Sequence, residues 1–184
     1  MSERVCPWWF GYFLISPIRR WMENPEKLLA PYVREGMTVL EPGPGMGFLT
    51  LPLARLAGQA GRVVVVDIQA KMLESLRRRA AKAGLLPRIE TRLAQPDSLG
   101  LGDLKGAVDF VLAFWMVHEM PSAEVFFGEA ADALKPGGTL LLVEPKGHVK
   151  REKFEQELAA ARTAGFEMGD RPAIRRSMAA VLRR

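Results

Sequence analysis

Five short apolar runs recur along the chain, separated by glycine turns and by stretches with a helical period. They are Thr38 to Glu41, Arg62 to Asp67, Arg88 to Leu93, Val108 to Phe114 and Thr139 to Glu144. The fourth is a continuous apolar run rather than an alternating one, of the kind a parallel sheet buries on both faces. Between the second and third runs, Lys71 to Ala83 puts Met72, Leu73, Leu76 and Ala80 on one helical face. Arginines lie outside, and Gly84 stands at the C-terminus. Ser122 is placed to cap a helix lasting to Leu134, where Pro136-Gly137-Gly138 stops it. Lys150 to Thr163 reads as a further helix ended by Gly165. The helix opened by the first glycine turn runs to about Ala57, with a bend expected at Pro52. Asn24-Pro25 starts a helix that Pro31 should kink or restart and Gly36 should end. Pro96 to Ala107 lacks a helical period, so the crossover helix there is expected to be short or missing. Phe166 to Met168 and Ser177 to Leu182 complete seven strands as an antiparallel pair. This alternation predicts an α/β fold: a doubly wound, mostly parallel seven-stranded sheet with an antiparallel last strand, in three α/β/α layers.

Composition narrows the picture in three ways. At 184 residues the chain suits one domain, here residues 36–184, preceded by an aromatic-rich segment, residues 1–35. One cysteine, Cys6, excludes an internal disulfide framework and fits a reducing compartment. No stretch has the roughly 20 apolar residues needed to span a bilayer. Val5 to Ile18 is interrupted by Pro7 and Pro17 and is a poor signal peptide, so a cytoplasmic location is expected. The net charge of +5 belongs wholly to residues 145–184, which hold 10 Lys/Arg against 5 Asp/Glu. That surface suits an anionic substrate, RNA or an acidic lipid, or is simply a solvated face.

The most informative segment follows the first run: Glu41-Pro42-Gly43-Pro44-Gly45-Met46-Gly47. Glycine permits a sharp turn at positive φ and a close approach of ligand to backbone. A second acid, Asp67, ends the next run and is placed to accept hydrogen bonds from both hydroxyls of a ribose. The spacing is not the G-x-G-x-x-G of a dinucleotide site. A carboxylate at Glu41 would repel a pyrophosphate but favour an ammonium, which points to S-adenosylmethionine (SAM) and away from a nicotinamide oxidoreductase.

With these segments, and with Asp67-Ile68, Asp109-Phe110-Val111-Leu112 and Leu134-Lys135-Pro136-Gly137-Gly138-Thr139, the chain resembles the class I SAM-dependent methyltransferases from about Gly36 onward. The resemblance implies a Rossmann-like sheet and SAM as cofactor. Gly43, Gly45 and Gly47 would wrap the methionine part, with Glu41 beside them. Asp67 would take the ribose and Ile68 the adenine face, with Gln95 or Asp97 at the adenine edge. Both histidines fall after adjacent strands, His118 in Trp115-Met116-Val117-His118-Glu119 and His148 in Glu144-Pro145-Lys146-Gly147-His148. If those strands pair, both imidazoles border the acceptor pocket as candidate bases, with a metal cluster as the other possibility. Trp115, Glu119 and Glu144 are candidate substrate contacts, and Trp8, Trp9 and Tyr12 are candidates for an aromatic lid.

The resulting expectation is an enzyme that methylates a small molecule. The alternatives are a noncatalytic SAM-binding module or partner subunit, or less readily an RNA or protein methyltransferase. The Asn/Asp-Pro-Pro-Tyr signature of DNA amino-methylating enzymes is absent, since the fourth run ends in Ala113-Phe114-Trp115.

Overall fold

The computed structural model describes residues 24–95 and 97–184. Trp8, Trp9 and Tyr12, and with them the expected lid, lie outside the described residues. The fold is a seven-stranded, mostly parallel sheet with antiparallel last strands, flanked by helices. The chain divides into two compact units, one ending at Ala94 and the other beginning at Gln95.

The first unit contains α1 (Pro25–Leu29), β1 (Thr38–Pro42), α2 (Thr50–Leu56), β2 (Arg62–Asp67), α3 (Ala70–Lys82) and β3 (Ile89–Leu93). β2 pairs in parallel with β1 on one side and β3 on the other, with Val64 opposite Leu40 and Glu90. Val39, Leu40 and Val63 to Val66 are buried, so the continuous apolar run covers both sheet faces. On α3, Met72, Leu73, Leu76 and Ala80 form the buried face read from the sequence.

Two local expectations are corrected here. Asn24 caps α1 by accepting from the Lys27 N–H at 3.1 Å, but the helix ends at Leu29 and does not restart. Pro31 prevents its continuation because a proline ring clashes with the preceding turn. Pro52 does not sit mid-helix either. α2 begins only at Thr50, so Pro52 falls in the first turn, where its missing N–H has no intrahelical partner to lose.

The second unit contains β4 (Val108–Phe114), α4 (Ala123–Ala133), β5 (Leu134–Pro145), α5 (Arg151–Thr163), β6 (Glu167–Met168) and β7 (Ser177–Arg183). Between Gln95 and Val108 the described residues form one 3-10 turn, Gly102–Leu104, where a crossover helix would otherwise stand. β5 pairs in parallel with β4 and antiparallel with β7, and β6 pairs antiparallel with β7. The Ser122 hydroxyl caps α4 by accepting from the Val125 N–H at 3.2 Å.

β5 starts at Leu134 rather than at Thr139. Val108 pairs with Leu134, the register then shifts, and Phe110 pairs with Thr139. Lys135, which precedes Pro136, is pushed toward extended backbone, so the chain leaves α4 directly into the sheet and bulges through Gly137 at φ +78°.

Candidate active site

In the first unit, the β1 and β2 register brings Glu41 opposite Val65, two residues before Asp67. Both acids therefore stand at the carboxyl ends of neighbouring strands. The glycine turn is tied to β2 by the Gly43 N–H, which donates to the Val66 carbonyl at 2.8 Å. The Arg79 guanidinium of α3 donates to the Met46 carbonyl and fixes the middle of the turn. Gly43, Gly45 and Gly47 all have positive φ. The space around them differs. A Cβ built on Gly45 would meet nothing within 4 Å, whereas one on Gly47 would lie 3.0 Å from Leu76 Cγ and 3.1 Å from Leu51 Cδ1. Gly47 therefore lets the turn pack on the helices, and Gly45 opens its outer side.

Glu41 is 3% exposed, and its Oε2 accepts from the Thr50 hydroxyl at 2.5 Å. Burial pushes its carboxyl up to about 8; the Thr50 hydrogen bond opposes the rise and the charge of Asp67 adds to it. A carboxyl raised this far favours its neutral form at pH 7. The charge argument from the sequence requires an ionised group, and an ammonium placed beside it is what would drive that ionisation. Asp67 Oδ1 accepts from the Gln69 N–H at 2.8 Å, which orients the carboxylate at the strand end. Ile68 is 47% exposed, an apolar surface at the position expected to meet an adenine face. An open glycine turn, two acids at adjacent strand ends and an exposed apolar side chain fit SAM.

In the second unit, Gln95 and Asp97 are exposed, and Gln95 exchanges backbone hydrogen bonds with Ser98. The Glu129 carboxylate of α4 anchors this loop, accepting from the Ser98 hydroxyl at 2.5 Å and the Leu99 N–H at 2.7 Å. β4 is followed by Trp115, whose φ of +59° is unusual for a bulky residue. Its backbone N–H donates to the Val143 carbonyl, and its indole N–H donates to Ser177 Oγ at 3.0 Å.

Pairing of β4 with β5 brings the two histidines together, with ring centroids 4.9 Å apart and edge to face. Glu144 is 0% exposed, and both of its oxygens face His118. Oε1 accepts from the His118 backbone N–H at 3.2 Å, and Oε2 lies 2.5 Å from Nδ1. Read from the sequence as a substrate contact, Glu144 stands instead behind the imidazole. The Nδ1 proton is directed to this carboxylate, leaving Nε2 as the basic nitrogen, 4.0 Å from Glu119 Oε1. Burial alone would push His118 down, but the hydrogen bond and charge of Glu144, with the charges of Glu119 and Glu157, hold it above 6.5. Among the described residues, no group of three or more His, Cys, Asp or Glu is placed to hold a metal ion.

Comparison with known proteins agrees with this geometry. The family model of the methyltransferase domain matches residues 39–138, more than half of the chain. The chain belongs to the methyltransferase domain family. It is similar to the ubiquinone/menaquinone biosynthesis C-methyltransferase UbiE of Klebsiella pneumoniae, 32% identical over 112 residues, covering 61% of this chain and 44% of that protein. It is also similar to UbiE of Brucella canis, 30% identical over 126 residues, covering 68% of this chain and 46% of that protein. The chain thus spans about half the length of the curated relatives it matches. The crystal structure of a SAM-dependent methyltransferase from Aquifex aeolicus superimposes with a TM-score of 0.86 at 24% identity, covering 97% of this chain and 99% of that one.

For this methyltransferase domain the sequence reading missed Thr50 beneath Glu41, Ser177 beneath Trp115, and Glu157. A signal for the last was present. Phe154, Leu158 and Ala161 mark the buried face of α5, and Glu157 falls on it. No helix among the described residues is long and apolar enough to cross a membrane.

Proposed function

We propose that the protein transfers a methyl group from SAM to a small molecule carrying an acidic proton, with His118 as the base that removes it. The observation that carries this reading is the Glu144 carboxylate behind Nδ1, which leaves Nε2 to take a proton. SAM, when bound, supplies a methyl group already activated on a sulfonium, so the protein has mainly to orient groups and exclude water. Glu41, the glycine turn, Asp67 and Ile68 hold the cofactor, and Gln95 or Asp97 meets the adenine edge. Glu144 fixes the tautomer of His118 and stabilises the imidazolium that forms when Nε2 is protonated. Trp115 and Glu119 border the acceptor, and His148 packs against the His118 ring. Because the relatives are named for C-methylation in quinone biosynthesis, a hydroxylated aromatic ring is the first acceptor class to test. Removing its hydroxyl proton makes the ring nucleophilic.

The test is calorimetric titration with S-adenosylhomocysteine beside NADH, followed by labelled-methyl transfer from SAM to a panel of phenols. Micromolar binding of the first ligand alone, and turnover that His118→Ala abolishes while affinity is kept, is the expected result. Binding of NADH alone would overturn the cofactor assignment. Full turnover by His118→Ala would remove the base from the reading.

A further inference from the structure

The carboxyl of Glu157 is the group of the second unit that this chemistry leaves unused. It lies on the packed face of α5 and is 1% exposed, and neither oxygen meets a hydrogen-bond donor. Glu144 from β5 and His118 from the turn after β4 act on it electrostatically, as does Lys153 one turn earlier on its own helix. Its outer side borders a cleft of about 440 Å³ lined also by Ser122, Glu124, Lys153 and Gln156, ample room for water. A buried carboxyl without partners is costly in its ionised form, and a site that keeps one beside a histidine–carboxylate pair calls for a reason.

We propose that Glu157 is a positioning residue that completes a His118–Glu144–Glu157 relay and counterbalances each change of charge on His118. With His118 neutral, Glu157 is a carboxylic acid, and the only charge among the three groups is the Glu144 carboxylate. When Nε2 takes a proton from the acceptor, Glu157 releases its own by way of the cleft it lines. The three groups then hold one cation and two carboxylates, so their net charge stays at minus one. The proton balance closes without any oxidant or metal. Burial, and then the charge of Glu144, push the Glu157 carboxyl up to about 7, while Lys153 and His118 oppose the rise, so the exchange falls in the neutral range. Glu119 and His148 also face the imidazole.

This inference rests on His118 as the base, but its test does not need the acceptor. The chain has two histidines, so an NMR titration of the full chain labelled in its histidine rings resolves each of them. The expected His118 curve in the unaltered protein has two inflections, because its charge is coupled to that of Glu157. In Glu157→Gln one inflection remains, at a pKa lower by about half a unit to one unit, since a like-sized neutral group no longer favours the imidazolium. Identical curves in the two proteins would overturn the relay. Should Glu157→Gln fail to fold, the carboxyl carbon of Glu157 is titrated in the unaltered protein. A midpoint near 7 supports the relay, and one below about 5 overturns it. Loss of coupling with His118 still essential for turnover removes the relay alone. Coupling retained with His118 dispensable removes the base alone.

Discussion

Glu41 and Asp67 stand at the ends of neighbouring strands, yet their surroundings assign them different work. Asp67 is held by the Gln69 N–H in a geometry suited to an ionised acceptor. Replacing it with alanine should weaken S-adenosylhomocysteine binding by about 1–3 kcal/mol, the usual cost of charge-assisted hydrogen bonds, as read by calorimetric titration. Unchanged affinity would remove Asp67 from the cofactor site. For the His118–Glu144 pair, Glu144→Gln keeps shape and a hydrogen-bond acceptor but removes the charge that raises His118. Turnover should fall roughly 10-fold or more, and the acid limb of the kcat/KM profile should move to lower pH, with cofactor affinity unchanged. At this scale the sequence disclosed which residues end the strands but not which way their chemistry runs. Glu144 was legible as a strand-end acid, whereas its role beneath His118 depends on the β4–β5 pairing. Glu157 lies thirteen residues further on, and only the fold of α5 against the sheet brings it to the same cluster.

Among the elements, the turn between β1 and α2 separates two uses of glycine. Gly47 combines φ +82° with a Cβ position crowded by Leu76 and Leu51, so Gly47→Ala should cost about 1–3 kcal/mol of stability. Gly45→Ala meets no neighbour and carries only the strain of φ +53°, about 1 kcal/mol. If the cofactor lies on the open side of the turn, the added methyl projects into its space. Calorimetry should therefore show Gly47→Ala lowering Tm more than Gly45→Ala does. Titration should show Gly45→Ala losing the greater share of S-adenosylhomocysteine affinity relative to its lost stability. The reverse ranking would mean that the open side of the turn is not the ligand side. Strand spans were legible because a parallel sheet writes its burial as unbroken Val and Leu runs, as in Val63 to Val66. The start of β5 was not, because the register shift opposite Val108 is a property of two strands together. Pro52 misled for a related reason: its effect depends on where α2 begins, which the packing of the glycine turn decides.

Across the whole molecule, these buried acids give stability an unusual dependence on pH. Glu41 and Glu157 are carboxyls raised from 4.5 to about 8 and about 7. A group that holds its proton more tightly when folded contributes stability in full below its unfolded pKa and loses it as pH rises through the folded one. His118, held above 6.5, acts in the same direction, its contribution fading as pH climbs past neutrality. The lowered acids Glu124 and Glu155 oppose this trend, but they lie at the exposed surface, where water screens their partners. The ligand-free protein should therefore lose Tm between pH 5 and pH 8, by about 2–4 °C for each kcal/mol in a chain of this size. Glu41→Gln, and separately Glu157→Gln, should flatten the slope. Ligand binding should act against it. If the cofactor's ammonium ionises Glu41, binding below pH 8 releases a proton, and affinity rises with pH toward that value. Scanning calorimetry at pH 6 and pH 8, with and without saturating S-adenosylhomocysteine, decides the matter. A larger ligand-induced gain in Tm at pH 8, abolished by Glu41→Gln, places the ammonium against Glu41. An equal gain at both pH values would leave that carboxyl a neutral structural acid and shift recognition of the ammonium to the backbone of the glycine turn.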